Sequence, residues 1–327
     1  MTDLVIVGAG ALGSYLAARL TLAGFDTVLI ARRGRFDRIG PQEIRFDSGG
    51  VISCTDVAVH TYCMGSGPAS FVLLCVKMGD LPAALELAAP AIGPETALVT
   101  VQNGVEAPGL VEARFPDSIV LASRVHGFFE MEGGLARHVG VEPSVVFGAM
   151  SAGHEGAAER LLYVLERTGI AARISPSIES DLWAKLVLAS SFGGVGAATG
   201  LLAGELRNQP DAWNLLETAM HEVVGLARCR QVDLPDDIVA STLAFVATFP
   251  PDATTSMKRD LESGKASEYE SLTGAVIRMA TLAGLDIPAH RWIAALIRSR
   301  GLINPGRGAR QHDIERAGYA DQADVAL

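Results

Sequence analysis

Cysteine is scarce in this chain: four residues in 327, Cys54, Cys63, Cys75 and Cys229, with no C-x-x-C pair among them. That spacing excludes zinc ribbons, thioredoxin-like redox motifs and a disulfide framework as the organising chemistry. Buried, reduced thiols of a cytosolic enzyme are the expectation, and the cytoplasm is the expected location. The seven histidines give no H-E-x-x-H, since His221-Glu222 lacks a second histidine four residues on, so no metal is expected. Basic charge is in deficit, with 27 Lys and Arg against 37 Asp and Glu for a formal net charge of −10. A nucleic-acid binder needs a basic face, so nucleic acid is not an expected partner. The uncharged run from Leu186 to Ala203 approaches transmembrane length. Gly193, Gly194, Gly196 and Gly200, with Ser190, Ser191 and Thr199, dilute its hydrophobicity, which favours a buried helix or helix pair over a membrane span. No secretory leader is expected, because a nucleotide motif occupies the place of one.

What is present begins at once. Leu4 to Val7 is a continuous apolar run, short enough for a strand buried on both faces, and Ser14 to Ala23 has helical spacing. Between them Gly8, Gly10 and Gly13 form a G-x-G-x-x-G turn. The first glycine allows the tight turn, the second lets the backbone approach a pyrophosphate, and the third lets helix and strand pack closely. The N–H groups at the helix start face the phosphate charge. Residues of this turn, Ala11 and Leu12 included, are candidate cofactor contacts. The second strand, Thr27 to Ile30, ends in Ala31-Arg32-Arg33-Gly34-Arg35, and no carboxylate follows until Asp37. An NAD site usually has Asp or Glu about 20 residues beyond the motif, on the ribose hydroxyls. A guanidinium fork instead matches a 2′-phosphate in geometry and charge, so NADP is the expected cofactor, with Arg32 the foremost contact and Arg33 or Arg35 supporting.

The length suits two domains. Phe71 to Val76, a helical stretch from Leu81 to Ala91, and Ala97 to Val101 continue an alternation that indicates a parallel sheet with crossover helices. From Ile119 to Gly148 the spacing predicts antiparallel hairpins, broken at Glu132-Gly133-Gly134 and at Glu142-Pro143. A helix over 157–167 and a strand over 171–174 complete the half. Beyond Ser175 the spacing predicts helices over about 178–200, 211–230, 235–249, 255–263, 267–284 and 288–299. The expected architecture is α/β: a Rossmann domain over 1–176, an all-helical domain over 177–303, and a loosely ordered tail over 304–327. Apolar residues in the helical domain permit a homodimer.

A nucleotide domain needs a substrate site and a proton donor. Asn103, in Gln102-Asn103-Gly104, follows a predicted strand, where ligands gather. Asn-Gly is equally a common turn pair, and both readings stay open. Lys185 stands at the mouth of the uncharged helix, where its ammonium can point into a pocket rather than snorkel to water. Ser256 lies in Thr254-Thr255-Ser256-Met257, a run that also suits a helix cap. Glu268 falls, in a helix over 267–284, on the face of Leu272, Ala275 and Met279, an awkward place for a carboxylate without a partner.

Taken in order, Gly8-Ala-Gly-Ala-Leu-Gly13, Cys75-Val-Lys77, Gln102-Asn103-Gly104, Leu182-Trp-Ala-Lys185-Leu and Ser256-Met257-x-x-Asp260 through Ser267-Glu268 resemble the ketopantoate reductase family over essentially residues 3–300. The resemblance implies NADPH-dependent reduction of a 2-oxo acid, ketopantoate to pantoate, in pantothenate biosynthesis. It implies Lys185 as proton donor, Glu268 as a substrate-orienting carboxylate, Asn103 and Ser256 on the substrate's polar ends, and Lys77 and Asn103 near the cofactor. It also implies a helical domain like that of 6-phosphogluconate dehydrogenase. One departure stands out. The family's helix carries asparagines one and two turns after the lysine, facing the substrate, where this chain has Ala189 and Gly193. Hydrogen bonds to a charged substrate are each worth about 1.5–3 kcal/mol. Their loss, and the space released at Ala189 and Gly193, point to a bulkier or more apolar ketone, or an imine, as an alternative substrate. A non-catalytic NADPH-binding protein is the alternative of a different class.

Overall fold

A computed structural model describes residues 3–36, 39–63 and 67–303. The tail over 304–327 and Asp37 lie outside the described residues. The chain divides into two compact units, Met1–Gln102 with Ala107–Ile178, and Asn103–Glu106 with the residues from Glu179 onward. Four residues, Asn103–Glu106, thus group with the second unit although the first flanks them in sequence.

The first unit is built on one nine-stranded sheet. Its strands are β1 (Leu4–Val7), β2 (Thr27–Ile30), β3 (Gly40–Ser48), β4 (Val51–His60), β5 (Phe71–Leu74), β6 (Ala97–Thr100), β7 (Ile119–Glu132), β8 (Leu135–Ala149) and β9 (Ala171–Ile174). They lie in the order β3-β4-β2-β1-β5-β6-β7-β8-β9, and β3 also pairs with β8. From β4 through β7 every neighbouring pair is parallel. The central strands β1, β5 and β6 are buried on both faces, and their side chains divide with period two. Leu4 and Ile6 join one core with Phe71 and Leu73, while Val5 and Val7 join the other with Val72 and Leu74. Helices α1 (Ala11–Leu22) and α4 (Glu155–Arg167) cover the first face; α2 (Leu81–Ala88) and α3 (Ala107–Arg114) cover the second.

Two features depart from the sequence reading. The hairpin β3–β4 fills the interval between Ile30 and Phe71, for which the pattern gave no strand. In β3 only Ile44, Phe46 and Asp47 are buried, alternating with exposed Glu43 and Arg45, so its apolar signal is diluted. The region 119–149 is one long hairpin turning at Gly133-Gly134, not several. Glu142-Pro143 does not end β8. The register passes from His126↔Ser144 to Phe128↔Val139, so Pro143 falls in the bulge opposite Gly127, where it interrupts no ladder pair.

The second unit is helical: α5 (Ile178–Thr199, whose first residue counts with the first unit), α6 (Ala203–Arg207), α7 (Pro210–Cys229), α8 (Ile238–Ala247), α9 (Ser256–Glu262), α10 (Thr273–Leu282) and α11 (Pro288–Ser299). Its core gathers Trp183, Leu186, Val187, Met220, Val223 and Ile293, each at most 2% exposed. Among the described residues no helix is long and apolar enough to cross a membrane. Glu222, the neighbour of His221, caps α11: its carboxylate accepts from the backbone N–H of Ala289 (2.6 Å) and His290 (2.9 Å) and lies 2.7 Å from Nδ1 of the fully buried His290. Two orphan donors of a helix start are satisfied in this way. A further difference concerns Glu268. The helix expected from residue 267 begins at Thr273, because Leu272 (φ −114°, ψ −94°) is not helical and residues 268–272 form turns closed on the carbonyls of Glu268 and Tyr269. The carboxylate is thereby released from the helix's apolar face.

Candidate active site

In the first unit a cavity of about 330 Å³ opens at the carboxyl ends of β1, β2 and β5, where the strand order reverses. Gly8, Gly10, Arg32, Arg35, Lys77 and Asp80 are among its lining residues. Gly8 adopts φ +116°, and a Cβ there would stand 2.6 Å from the Cys75 carbonyl oxygen. A Cβ on Gly13 would meet the Gly8 carbonyl oxygen at 1.9 Å, so only glycine lets α1 approach the turn. At Gly10, the N-cap of α1, a Cβ would meet nothing within 4 Å. The face of the helix start that a pyrophosphate would take is therefore open, and the residues fit a dinucleotide. Ala11, Leu12 and Gly13 are not among its lining residues; Leu12 packs against the sheet core.

Of the three arginines after β2, Arg32 and Arg35 line the cavity and Arg33 does not. Arg35 donates to the Ala9 carbonyl (3.2 Å), and Arg32 is ion-paired with Asp80. Asp80 escaped the sequence reading, although its place just after β5 is where ligand-facing residues collect. Gln102, 8% exposed, donates from Nε2 to the carbonyls of Leu74 (2.6 Å) and Val76 (3.0 Å), which ties the end of β6 to the chain leaving β5 and so holds Cys75 to Lys77 in place. Burial pushes the Cys75 thiol up to about 12, so it stays protonated beside the cavity at neutral pH.

In the second unit Lys185, Asn103 and Glu268 come together. Lys185 Nζ donates to Asn103 Oδ1 (2.5 Å), and Asn103 Nδ2 donates to both carboxylate oxygens of Glu268 (3.1 and 2.9 Å). An amide between a donor-only ammonium and an acceptor-only carboxylate has a single consistent orientation. All three side chains are part-buried. The Asn-Gly pair serves as a turn as well: Gly104 has φ +98°, and a Cβ on it would lie 2.5 Å from the Ser271 carbonyl oxygen. That geometry is the turn reading of Asn103-Gly104. The polar atoms of Asn103 face the second unit's own side chains.

The expected space at Gly193 is not there. Gly193 is buried, and a Cβ on it would meet Met257 Cε at 3.0 Å and Thr255 Oγ1 at 3.2 Å. The start of α9 fills the volume, a tertiary packing that spacing along α5 could not reveal. Thr255 caps α9 by accepting from the Lys258 N–H (3.2 Å), and Ser256 stands exposed in the first turn. Ala189, one turn from Lys185, is part-buried and brings only a methyl group. Ser190 and Ser191 are fully buried, and the Ser190 hydroxyl is spent on the Leu186 carbonyl, so neither replaces the missing amides.

A Rossmann sheet with an open glycine turn, joined to a helical unit that carries a lysine, an asparagine and a glutamate in mutual contact, defines a nicotinamide-dependent oxidoreductase. Residues 4–152 match the family described as ketopantoate reductase PanE/ApbA, and residues 177–301 match its C-terminal counterpart. The chain belongs to the ketopantoate reductase family. It is 28% identical over 318 residues to a 2-dehydropantoate 2-reductase of Mesorhizobium japonicum, covering 90% of this chain and 96% of that one. A second such enzyme, from Archaeoglobus fulgidus, is 27% identical, with 90% and 96% covered. Among solved structures, a PanE/ApbA family ketopantoate reductase from Ralstonia eutropha superposes with a TM-score of 0.78 at 29% identity, covering 90% and 97%. D-mandelate dehydrogenase, solved with NADH and anilino(oxo)acetate, shares the fold with a TM-score of 0.79 at 20% identity, covering 92% and 99%.

Proposed function

We propose that this protein reduces the ketone of a 2-oxo acid to a 2-hydroxy acid with NADPH, ketopantoate to pantoate in type, a step of pantothenate biosynthesis. The observation that carries the reading is the hydrogen-bonded series from Lys185 through Asn103 to Glu268. When bound, NADPH supplies the hydride that the ketone carbon receives. Negative charge then develops on the ketone oxygen. Lys185 stabilises that charge as a cationic donor and transfers a proton from Nζ to the oxygen, which completes the alcohol. One of the three ammonium N–H groups goes to Asn103, which sets the direction of a side chain that is otherwise flexible. Glu268 holds the Asn103 amide so that its oxygen, not its nitrogen, faces the lysine. In the first unit, the start of α1 receives the pyrophosphate while Arg32 and Arg35 receive the 2′-phosphate.

A second reading of the substrate has its own support. With Ala189 and the packed Gly193, α5 offers no hydrogen-bonding side chain one and two turns beyond Lys185. The absence of those amides suits a 2-oxo acid with an apolar branch better than one with the hydroxyl of ketopantoate. A panel of ketopantoate, 2-oxoisovalerate and phenylglyoxylate, followed by NADPH absorbance, decides between the two. Highest kcat/KM for ketopantoate supports the first. A preference of about tenfold or more for the apolar acids, the size of one lost hydrogen bond, supports the second. NADPH binding without turnover of any ketone would leave the non-catalytic alternative.

For the cofactor, Arg32→Ala is expected to weaken NADPH binding by roughly 10- to 100-fold, the scale of a lost charge-assisted contact, while leaving NADH binding nearly unchanged. Titration of nucleotide fluorescence gives both constants. Equal losses for the two nucleotides would remove the phosphate contact from Arg32.

A further inference from the structure

The polar series on Lys185 rests on two loops, 103–106 and 268–271, that lie far apart in sequence. Something must hold them together, because a carboxylate and an amide exposed to water form only a weak contact. The structure offers a clamp three residues beyond Asn103 and two beyond Glu268. Arg278, on α10, donates from Nη2 to Glu106 Oε2 (2.8 Å) and to the Glu270 carbonyl (2.8 Å), and from Nη1 to Glu270 Oε2 (3.1 Å). The Arg278 side chain is 25% exposed and that of Glu106 only 10%, which lifts this bridge above an ordinary surface ion pair. Three packing details point the same way. Gly104 lies against the Ser271 carbonyl so closely that no side chain fits. Val105 packs on the helical core. A Cβ on Gly274 would stand 2.7 Å from Glu270 Oε2 and 3.2 Å from Arg278 Nη1, so a bare α10 backbone makes room for the pair.

We infer that Arg278 is a positioning residue: its guanidinium fork bridges Glu106 and Glu270 and so fixes Asn103 and Glu268 at the distance that aims Lys185. The inference rests on the reading that Lys185 acts on a carbonyl oxygen. A fork is needed because one planar group must serve two loops in fixed directions; an ammonium in its place acts as a point charge.

The test uses the full-length protein labelled with 15N-asparagine. The chain has four asparagines, Asn103, Asn208, Asn214 and Asn304, so four side-chain amide pairs are observed, and Asn103→Ser assigns the one that matters. In Arg278→Met the Asn103 pair is expected to move toward the position of a solvated amide while Asn208 and Asn214 stay unchanged. At the same time kcat for the 2-oxo acid reduced best is expected to fall roughly 10- to 100-fold, the effect of about 1 Å of misplacement, with NADPH affinity intact. Arg278→Lys is expected to recover part of both signals. Glu106→Gln, which removes one arm without removing the arginine, gives a smaller change in the same direction and serves if Arg278→Met does not fold. An Asn103 amide that stays in place in Arg278→Met, with kcat held within about twofold of the parent, an effect too small for such a displacement, would overturn the inference. So would a loss of activity that only follows the loss of folded protein. If the parent protein reduces no 2-oxo acid, the proposed function fails, and the amide signal still decides whether Arg278 holds the loops.

Discussion

Lys185→Ala is expected to lower kcat by about 10³-fold or more while leaving NADPH binding unchanged. Loss of a donor to a developing oxyanion costs about 10²–10³ in rate. Loss of a general acid costs about 10²–10⁴. Lys185 fills both roles in the proposed reaction, and the two effects overlap because they act at the same oxygen. In the proposed reaction the nucleotide is held by the glycine turn and the arginines of the first unit, so its affinity is expected to stay the same. The fold has little reason to change either: Lys185 is part-buried, and the Asn103–Glu268 bonds do not depend on it. A fall in kcat with KM nearly constant is the signature of an interaction made mainly in the transition state. Steady-state NADPH oxidation gives kcat, and fluorescence titration gives the nucleotide affinity. Activity that survives the substitution would take Lys185 out of the mechanism.

The glycine turn gives the second large effect, and it separates folding from binding within one motif. A methyl on Gly13 would be driven to 1.9 Å from the Gly8 carbonyl oxygen, and Gly8 is itself held against Cys75. Neither backbone can give way. Overpacking in a well-packed interior costs about 1–3 kcal/mol and more where nothing relaxes. For a domain of this size 3 kcal/mol lowers Tm by roughly 6–12 °C. Gly13→Ala is therefore expected to unfold early or to accumulate poorly. Gly10→Ala should do the opposite. Its methyl points into open space, so Tm holds, while the pyrophosphate is pushed off the α1 N–H groups and NADPH affinity falls roughly 10- to 100-fold. Thermal unfolding and nucleotide titration on both variants check the pair. Similar stability for the two would mean that Gly13 does not hold helix to strand.

The sequence showed most where one chemical constraint acts along a short stretch. The central strands β1, β2, β5 and β6 were legible because burial leaves unbroken apolar runs such as Leu4 to Val7. The hairpin β3–β4 was not, since exposed side chains such as Glu43, Arg45, Cys54 and Asp56 interrupt its buried ones. Lys185 could be picked out because a long uncharged helix follows it. Its partners come from residues 82 and 83 positions away, and only the fold reveals that Asn103 joins it to Glu268. Glu268 looked misplaced because helical spacing was extended through Leu272, whose backbone does not follow it. Gly193 looked like released space because Met257 and Thr255 cannot be seen from α5 alone. Asp80 and Arg278 belong to the same class: ordinary charged residues in sequence, given meaning by a partner from another segment.

The account depends on Lys185 meeting the substrate's ketone oxygen. The direct measurement is a crystal structure of the protein with NADP⁺ and the 2-oxo acid it reduces best. The account predicts the Lys185 ammonium within hydrogen-bond reach of that oxygen, about 2.6–3.2 Å, with Asn103 still bonded to Glu268. A ketone oxygen held by other groups, with Lys185 turned away from it, would contradict the account.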